Sequence, residues 1–209
     1  MRLLHLVDRL DARGTRVRDT ILRLEGRHAN LVASGTPVHD VAPFERVRVD
    51  GLRASSSMPV TEELDALVTS FAPDHVVLHS VVNATALAWA ASKRGILVVT
   101  DLRAFHPERA IGVERGPAKP GARPLCASCF ETDPFFRGLR DEAQRRRAAL
   151  SGARAVLVDE EAAAVELGGL GVDAPLRVVA PEPRRRAAWL DAELGAREPR
   201  GIDAIDSLT

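Results

Sequence analysis

The sequence predicts an α/β fold, a doubly wound and mostly parallel sheet with helices on both faces. Three observations predict it. Short apolar runs at Leu3–Val7, His75–His79, Ile96–Thr100 and Ala155–Val158 alternate along the chain with stretches of helical periodicity. The two central runs are apolar without alternation, as expected of strands covered on both faces. The 209 residues suffice for one such domain with a full core. The expected architecture is therefore Rossmann-like, three layers in the order α/β/α, and a single domain.

Each element has a local reason. Leu3–Val7 reads as a buried strand that stops at Asp8. After a loop from Arg9 to Gly14, a helix runs from Thr15 to about Leu24, with Val17, Ile21 and Leu24 on one face and Gly26 at its end. Ala29–Ala33 is the next strand, closed by Ser34-Gly35-Thr36-Pro37. Arg46–Val49 alternates with period two and turns at Asp50-Gly51. Ser55-Ser56-Ser57 and Pro59 form a loop before an amphipathic helix from Thr61 to Phe71.

The middle is a βαβ unit: the strand His75–His79, an Ala-rich helix over Ala84–Lys93 ended by Gly95, and the strand Ile96–Thr100. A long connection, Asp101 to Asp133, follows; its length marks it as functional or disordered. A helix from about Pro134 to Leu150 carries Phe136, Leu139, Ala143 and Leu150 on one side. The strand Ala155–Val158, a helix over Glu160–Leu167 and a last strand over Arg177–Val179 complete the domain at residue 183. Residues 184–209 read as a C-terminal tail or a short docking helix, with Trp189, Leu190 and Leu194 making one amphipathic turn or two.

Composition excludes some classes. Lys plus Arg and Asp plus Glu both number 29, so the formal charge is zero, which argues against a nucleic-acid partner. The cluster Arg145-Arg146-Arg147 reads as a solvated helix face beside Asp141 and Glu142. The apolar start is too short and too polar for a signal peptide, and Val76–Ala91 falls short of a membrane span. With two Cys, the simplest setting is the reducing cytoplasm.

The order of segments resembles the N-terminal, acceptor-side domain of GT-B glycosyltransferases of the family-4 type. The residues that carry it are Leu3–Asp8 with the Gly14-Thr15 helix start, Phe71–Ser80, Gly95–Thr100, Phe105-His106-Pro107, Cys126–Cys129, Arg154–Val158 and Leu176–Pro181. It covers about residues 1–183. The resemblance implies a transferase that moves a sugar from a nucleotide-sugar to a sugar or lipid acceptor, this domain holding the acceptor. It also implies a separate donor-binding half, recognised by two glutamates eight positions apart, a spacing absent here. A donor-binding partner chain, or assembly as a homo-oligomer, is the expected arrangement. Where such enzymes carry a His after the fifth strand, this chain has Asp101, Leu102 and Arg103, and His106 is the displaced candidate.

In an open α/β sheet, ligands bind beyond the carboxyl ends of the strands. That rule selects Asp101 as a base toward an attacking hydroxyl, with His106 beside it as the second catalytic candidate. It selects Gly14, Thr15, His79, Ser80, Asn83, Arg103 and Arg109 as acceptor contacts, the arginines through anionic groups. Each has a plainer reading: a turn and cap at Gly14 and Thr15, a hydrogen-bonded structural His79, a helix cap at Asn83, a loop cap at Asp101, solvated arginines.

Cys126-x-x-Cys129, with His106 as third ligand, suits a structural zinc site that still needs a fourth donor; a transient disulfide or two inert thiols are the alternatives, and no other cofactor is expected. Gly169-Leu-Gly171-x-x-Ala174 matches a dinucleotide fingerprint in letters only, because it follows a helix. Three functions fit: an acceptor-binding glycosyltransferase subunit, a non-catalytic binding or scaffold protein, and an unrelated small α/β enzyme.

Overall fold

The computed structural model describes residues 1–10, 15–36, 43–53, 58–106 and 134–195, without the Thr15 side chain. Its centre is a seven-stranded sheet, and every pairing in it is parallel. The strands are β1 (Arg2–Val7), β2 (Ala29–Ser34), β3 (Glu45–Arg48), β4 (His75–His79), β5 (Ile96–Val98), β6 (Ala155–Val158) and β7 (Leu176–Val178). Their order is β3-β2-β1-β4-β5-β6-β7. The chain winds outward from β1 to β3, returns to lay β4 beside β1, then winds the other way. The reversal opens a crevice between the carboxyl ends of β1 and β4, where Val7 pairs with His79.

Side chains alternate across the sheet and divide the core in two. Leu4, Leu6, Val76, Leu78 and Leu97 face one helical layer: α2 (Thr61–Phe71), α3 (Ala84–Ser92), α4 (Pro134–Ser151) and α5 (Glu161–Gly169). Leu3, Val77, Ile96 and Val98 face the other layer, α1 (Thr15–Leu24) and α6 (Pro183–Gly195). The molecule is thus the expected three-layer α/β/α domain.

Local chemistry sets the ends of these elements. Asn83 caps α3, its Oδ1 accepting from the amides of Thr85 at 2.9 Å and Ala86 at 3.1 Å. Gly26, at φ +84°, turns the chain out of α1. Gly35 lets β2 end against two other backbones: a Cβ there would meet Arg53 N at 2.6 Å and Asp8 O at 2.8 Å.

Three readings of the sequence change. The segment expected as a tail or a short docking helix is a helix of thirteen residues, α6, which begins at Pro183 and is longer than the turn or two expected. Ala187, Leu190 and Leu194 bury themselves on the sheet, and α6 packs beside α1. The arginine cluster is a solvated face only at Arg145. Arg146 donates to the carbonyls of Val82 at 2.6 Å and Ala104 at 2.9 Å, and Arg147 to that of Phe105 at 2.7 Å. Here α4 lies against the loops after β4 and β5, whose carbonyls lack strand partners and take guanidinium donors instead. The last strand begins one residue earlier, at Leu176. No helix among the described residues is long and apolar enough to cross a membrane.

Candidate functional site

The crevice at the β1/β4 reversal is a hollow of about 650 Å³. Six parts of the chain converge on it. Asp8 and Arg9 follow β1, Arg16 and Val17 begin α1, and His79 and Ser80 end β4. Thr100 follows β5, Asp159 follows β6, and Pro181 and Arg186 come from the segment entering α6 and its first turn. A hollow of about 950 Å³ lies between α3 and α4, but its lining, five alanines among eleven residues, comes from helix faces rather than strand ends. Convergent polar groups at strand ends make the first crevice the candidate site.

Its floor holds two unusual features. Ser80 sits at φ +56°, a left-handed conformation that a non-glycine residue adopts only under constraint. The constraint is visible: Ser80 N donates to the Val98 carbonyl at 2.9 Å, and its Oγ lies 2.7 Å from Thr100 Oγ1. Two hydroxyls from neighbouring strands are thereby presented together.

The second feature is His79, 2% exposed. Its Nε2 lies 3.0 Å from His5 Nδ1 in the middle of β1. His5 Nε2 in turn meets Asn30 Oδ1 at 2.9 Å, and Asn30 Nδ2 donates to Glu25 Oε2 at 2.9 Å. Burial pulls the His5 pKa down to about 4, with the nearby His28 adding to it and the Asn30 contact opposing. Burial also holds His79 well below its ordinary value, helped by His5 and by the Arg186 charge.

The wall opposite is ionic. Arg186, 4% exposed, donates from Nη2 to Asp159 Oδ1. Burial raises the Asp159 carboxyl and lowers the Arg186 guanidinium, although each partner pulls the other the opposite way. Both shifts run toward neutrality, with burial the largest influence on each group. Arg186 Nε is buried without a partner among the described residues.

Among the described residues, the structure brings His79 and Ser80 of the sequence candidates into this lining. Asn83 holds its amide between the α3 cap and the carbonyls of Gly51 at 2.8 Å and Met58 at 3.1 Å. Asp101, next to Thr100, caps the short 3-10 turn Leu102–Phe105 and receives Arg103 Nε at 2.9 Å and Nη2 at 2.7 Å. That guanidinium holds the Asp101 carboxyl below the usual carboxylate range. His106 ends the same turn, half-buried, with Nδ1 lacking a partner among the described residues. Thr15 is the first residue of α1. Gly14, Arg109, Cys126 and Cys129 lie outside the described residues, among which no group of three His, Cys, Asp or Glu is placed to hold a metal ion.

Sequence reasoning missed Arg16, Thr100, Asp159, Arg186 and His5. Thr100 and Asp159 follow apolar runs, so the strand-end rule itself reaches them. His5 interrupts an otherwise apolar strand, which is a readable signal. Arg186 is different, since only the packing of α6 against the sheet carries it there.

The sequence model of one family, described as a glycosyl transferase 4-like domain, matches residues 1–182. None of the curated protein sequences matches the chain. Among solved structures it is similar to a UGT2 of Phytolacca americana complexed with UDP-2fluoro-glucose and pterostilbene, at 13% identity and TM-score 0.48, over 86% of this chain and 54% of that one. It is similar also to a UDP-glucosyltransferase of Polygonum tinctorium capable of glucosylating indoxyl, at 12% identity and TM-score 0.46, over 86% and 52%. A third is a UGT transferase of Siraitia grosvenorii in complex with UDP, at 15% identity and TM-score 0.43, over 87% and 48%. The chain spans about half the length of each of these structures.

Proposed function

The chain belongs to the glycosyl transferase 4-like domain family, and from that premise we propose that it binds the acceptor in transfer of a sugar from a nucleotide-sugar. The observation that supports this most is the polar crevice at the β1/β4 reversal, the place where open α/β sheets receive ligands. Its contents suit a hydroxyl-bearing molecule. Ser80 and Thr100 give and accept hydrogen bonds, His79 offers a ring nitrogen, and Arg16 and Arg186 supply donors.

In this reading the domain contributes position rather than bond making. Holding the acceptor hydroxyl in line with the sugar carbon replaces a bimolecular encounter by a fixed geometry. The nucleotide is gripped by a donor-binding domain or partner chain, which closes over the crevice and expels water. Asp101 directly follows Thr100 of the crevice lining, and His106 ends the turn that Asp101 caps. For Asp101 to accept the hydroxyl proton it must first leave Arg103, a change that closure of a donor domain would have to drive.

The test is a binding experiment on the full chain. Calorimetry with nucleotide-sugars is expected to show no tight binding, and neutral sugars are expected to perturb Ser80, Thr100 and Arg16 in NMR spectra. Sub-micromolar affinity for a nucleotide-sugar would overturn the need for a donor-binding partner. Sugars that bind anywhere but the crevice would overturn the acceptor assignment.

A further inference from the structure

Glu25, Asn30, His5 and His79 form a polar chain through an apolar core, from the amino end of the sheet to the crevice at its carboxyl end. Chemistry fixes the protons along it. Asn30 Nδ2 donates to the Glu25 carboxylate at 2.9 Å and to the His28 carbonyl at 2.9 Å, so Asn30 turns its Oδ1 toward His5. An amide oxygen only accepts, so the hydrogen of the 2.9 Å contact sits on His5 Nε2. His5 is fully buried and neutral, which leaves its Nδ1 as a lone pair. His79 Nε2, 3.0 Å away, must then be the donor. The polar atom remaining on His79, which lines the crevice, is an unprotonated Nδ1.

We propose that Glu25, Asn30 and His5 lock His79 into this tautomer, so that Nδ1 receives a hydroxyl hydrogen of the bound acceptor. The proposal rests on the crevice being the acceptor site. His79 is then a specificity-determining residue, and the other three are positioning residues that act through it. The chain orients but does not conduct, because the Asn30 amide oxygen is too weak a base to pass a proton on to Glu25. A lone pair fixed in this way admits a hydroxyl and rejects a methyl ether or a deprotonated oxygen at the same spot. The two rings lie end to end along this hydrogen bond, centroids 5.3 Å apart and planes 29° from parallel, so the bond itself holds the His79 ring plane and with it Nδ1.

The test is long-range 1H–15N correlation of the histidine rings in the full chain, alone and with glycerol, methyl α-glucopyranoside and its O-methylated derivative. The expected result is a neutral His79 protonated at Nε2, with an Nδ1 resonance moved by the polyols and unmoved by the methyl ether. Asn30→Leu frees His5 and leaves the crevice lining intact. It is expected to let His79 populate the Nδ1-protonated form and to weaken polyol binding about tenfold. If that variant does not fold, the wild-type spectrum still decides. A His79 protonated at Nδ1, or on both nitrogens, overturns the proposal. Polyol binding in the crevice that leaves Nδ1 unmoved also overturns it, while upholding the acceptor site itself. A correct tautomer with no polyol binding overturns the acceptor site, and the hydroxyl partner of His79 with it.

Discussion

His79 Nε2 lies 3.0 Å from His5 Nδ1, joining the end of one strand to the middle of its neighbour through a contact no water reaches. Two neutral imidazoles in a core have a consequence in acid. The unfolded chain protonates them near pH 6.5, whereas folded His5 resists to about pH 4. Between those values the unfolded state binds more protons. Stability is therefore full above the window and falls as the pH drops through it. His5, which faces Asn30, His79 and the nearby His28, accounts for about 3 kcal/mol of the loss. His79, which faces His5 and Arg186, adds in the same direction. Urea midpoints at about pH 7 and about pH 5 check this. His5→Gln is expected to flatten the dependence, and an unchanged slope would show that other groups carry it.

Arg186 and Asp159 give an asymmetric prediction. Asp159→Ala strands a buried guanidinium and is expected to destabilise by roughly 2–3 kcal/mol, below the full value for a buried pair because Asp159 is about a third exposed. Replacing both, as Arg186→Met with Asp159→Leu, is expected to restore most of that loss. Thermal melts of the two variants test the order. A double variant less stable than the single one refutes it.

Asn83 joins the start of α3 to the carbonyls of Gly51 and Met58 with one side chain. Asn83→Ala removes a helix cap and leaves the Gly51 and Met58 carbonyls short of a donor. A loss of about 2–4 kcal/mol is expected. Asn83→Asp keeps the cap and loses only the donors, so it should fall between wild type and Ala in the same melts.

Leu190 is the deepest apolar anchor of α6, at 1% exposure. Leu190→Ala is expected to cost about 2–4 kcal/mol. It should also loosen Arg186, four residues earlier on the helix, and with it the crevice wall. Hydrogen exchange along α6 reads both effects. Melting unchanged by this substitution would mean that α6 is not part of the folded unit.

Gly35→Ala tests the close approach at the end of β2. Its Cβ would meet backbone atoms of Arg53 and Asp8, which cannot rotate away. A loss of about 3 kcal/mol or more is expected from denaturant melts, at the upper end for overpacking. Near-neutral behaviour would show that the Asp8 and Arg53 segments yield easily.

The sequence alone determined the fold class and most of its elements, because those strands and helices are written locally. Leu3–Val7, His75–His79 and Ala155–Val158 are apolar runs bounded by turn residues, and Ala84–Ser92 follows an Asn that caps it. Part of the site was equally legible: His79 and Ser80 follow from the rule that ligands meet strand ends. What only the tertiary structure decided is who faces whom. Arg186 enters the crevice because Leu190 and Leu194 pull α6 onto the sheet. Arg146 and Arg147 leave the solvent because α4 lies over two loops with unpaired carbonyls. His5 gains its role from the parallel register that sets β1 between Asn30 and His79. Local periodicity fixes where a side chain leaves the backbone; the partner it meets comes from segments distant in sequence, and that pairing sets its proton and its charge.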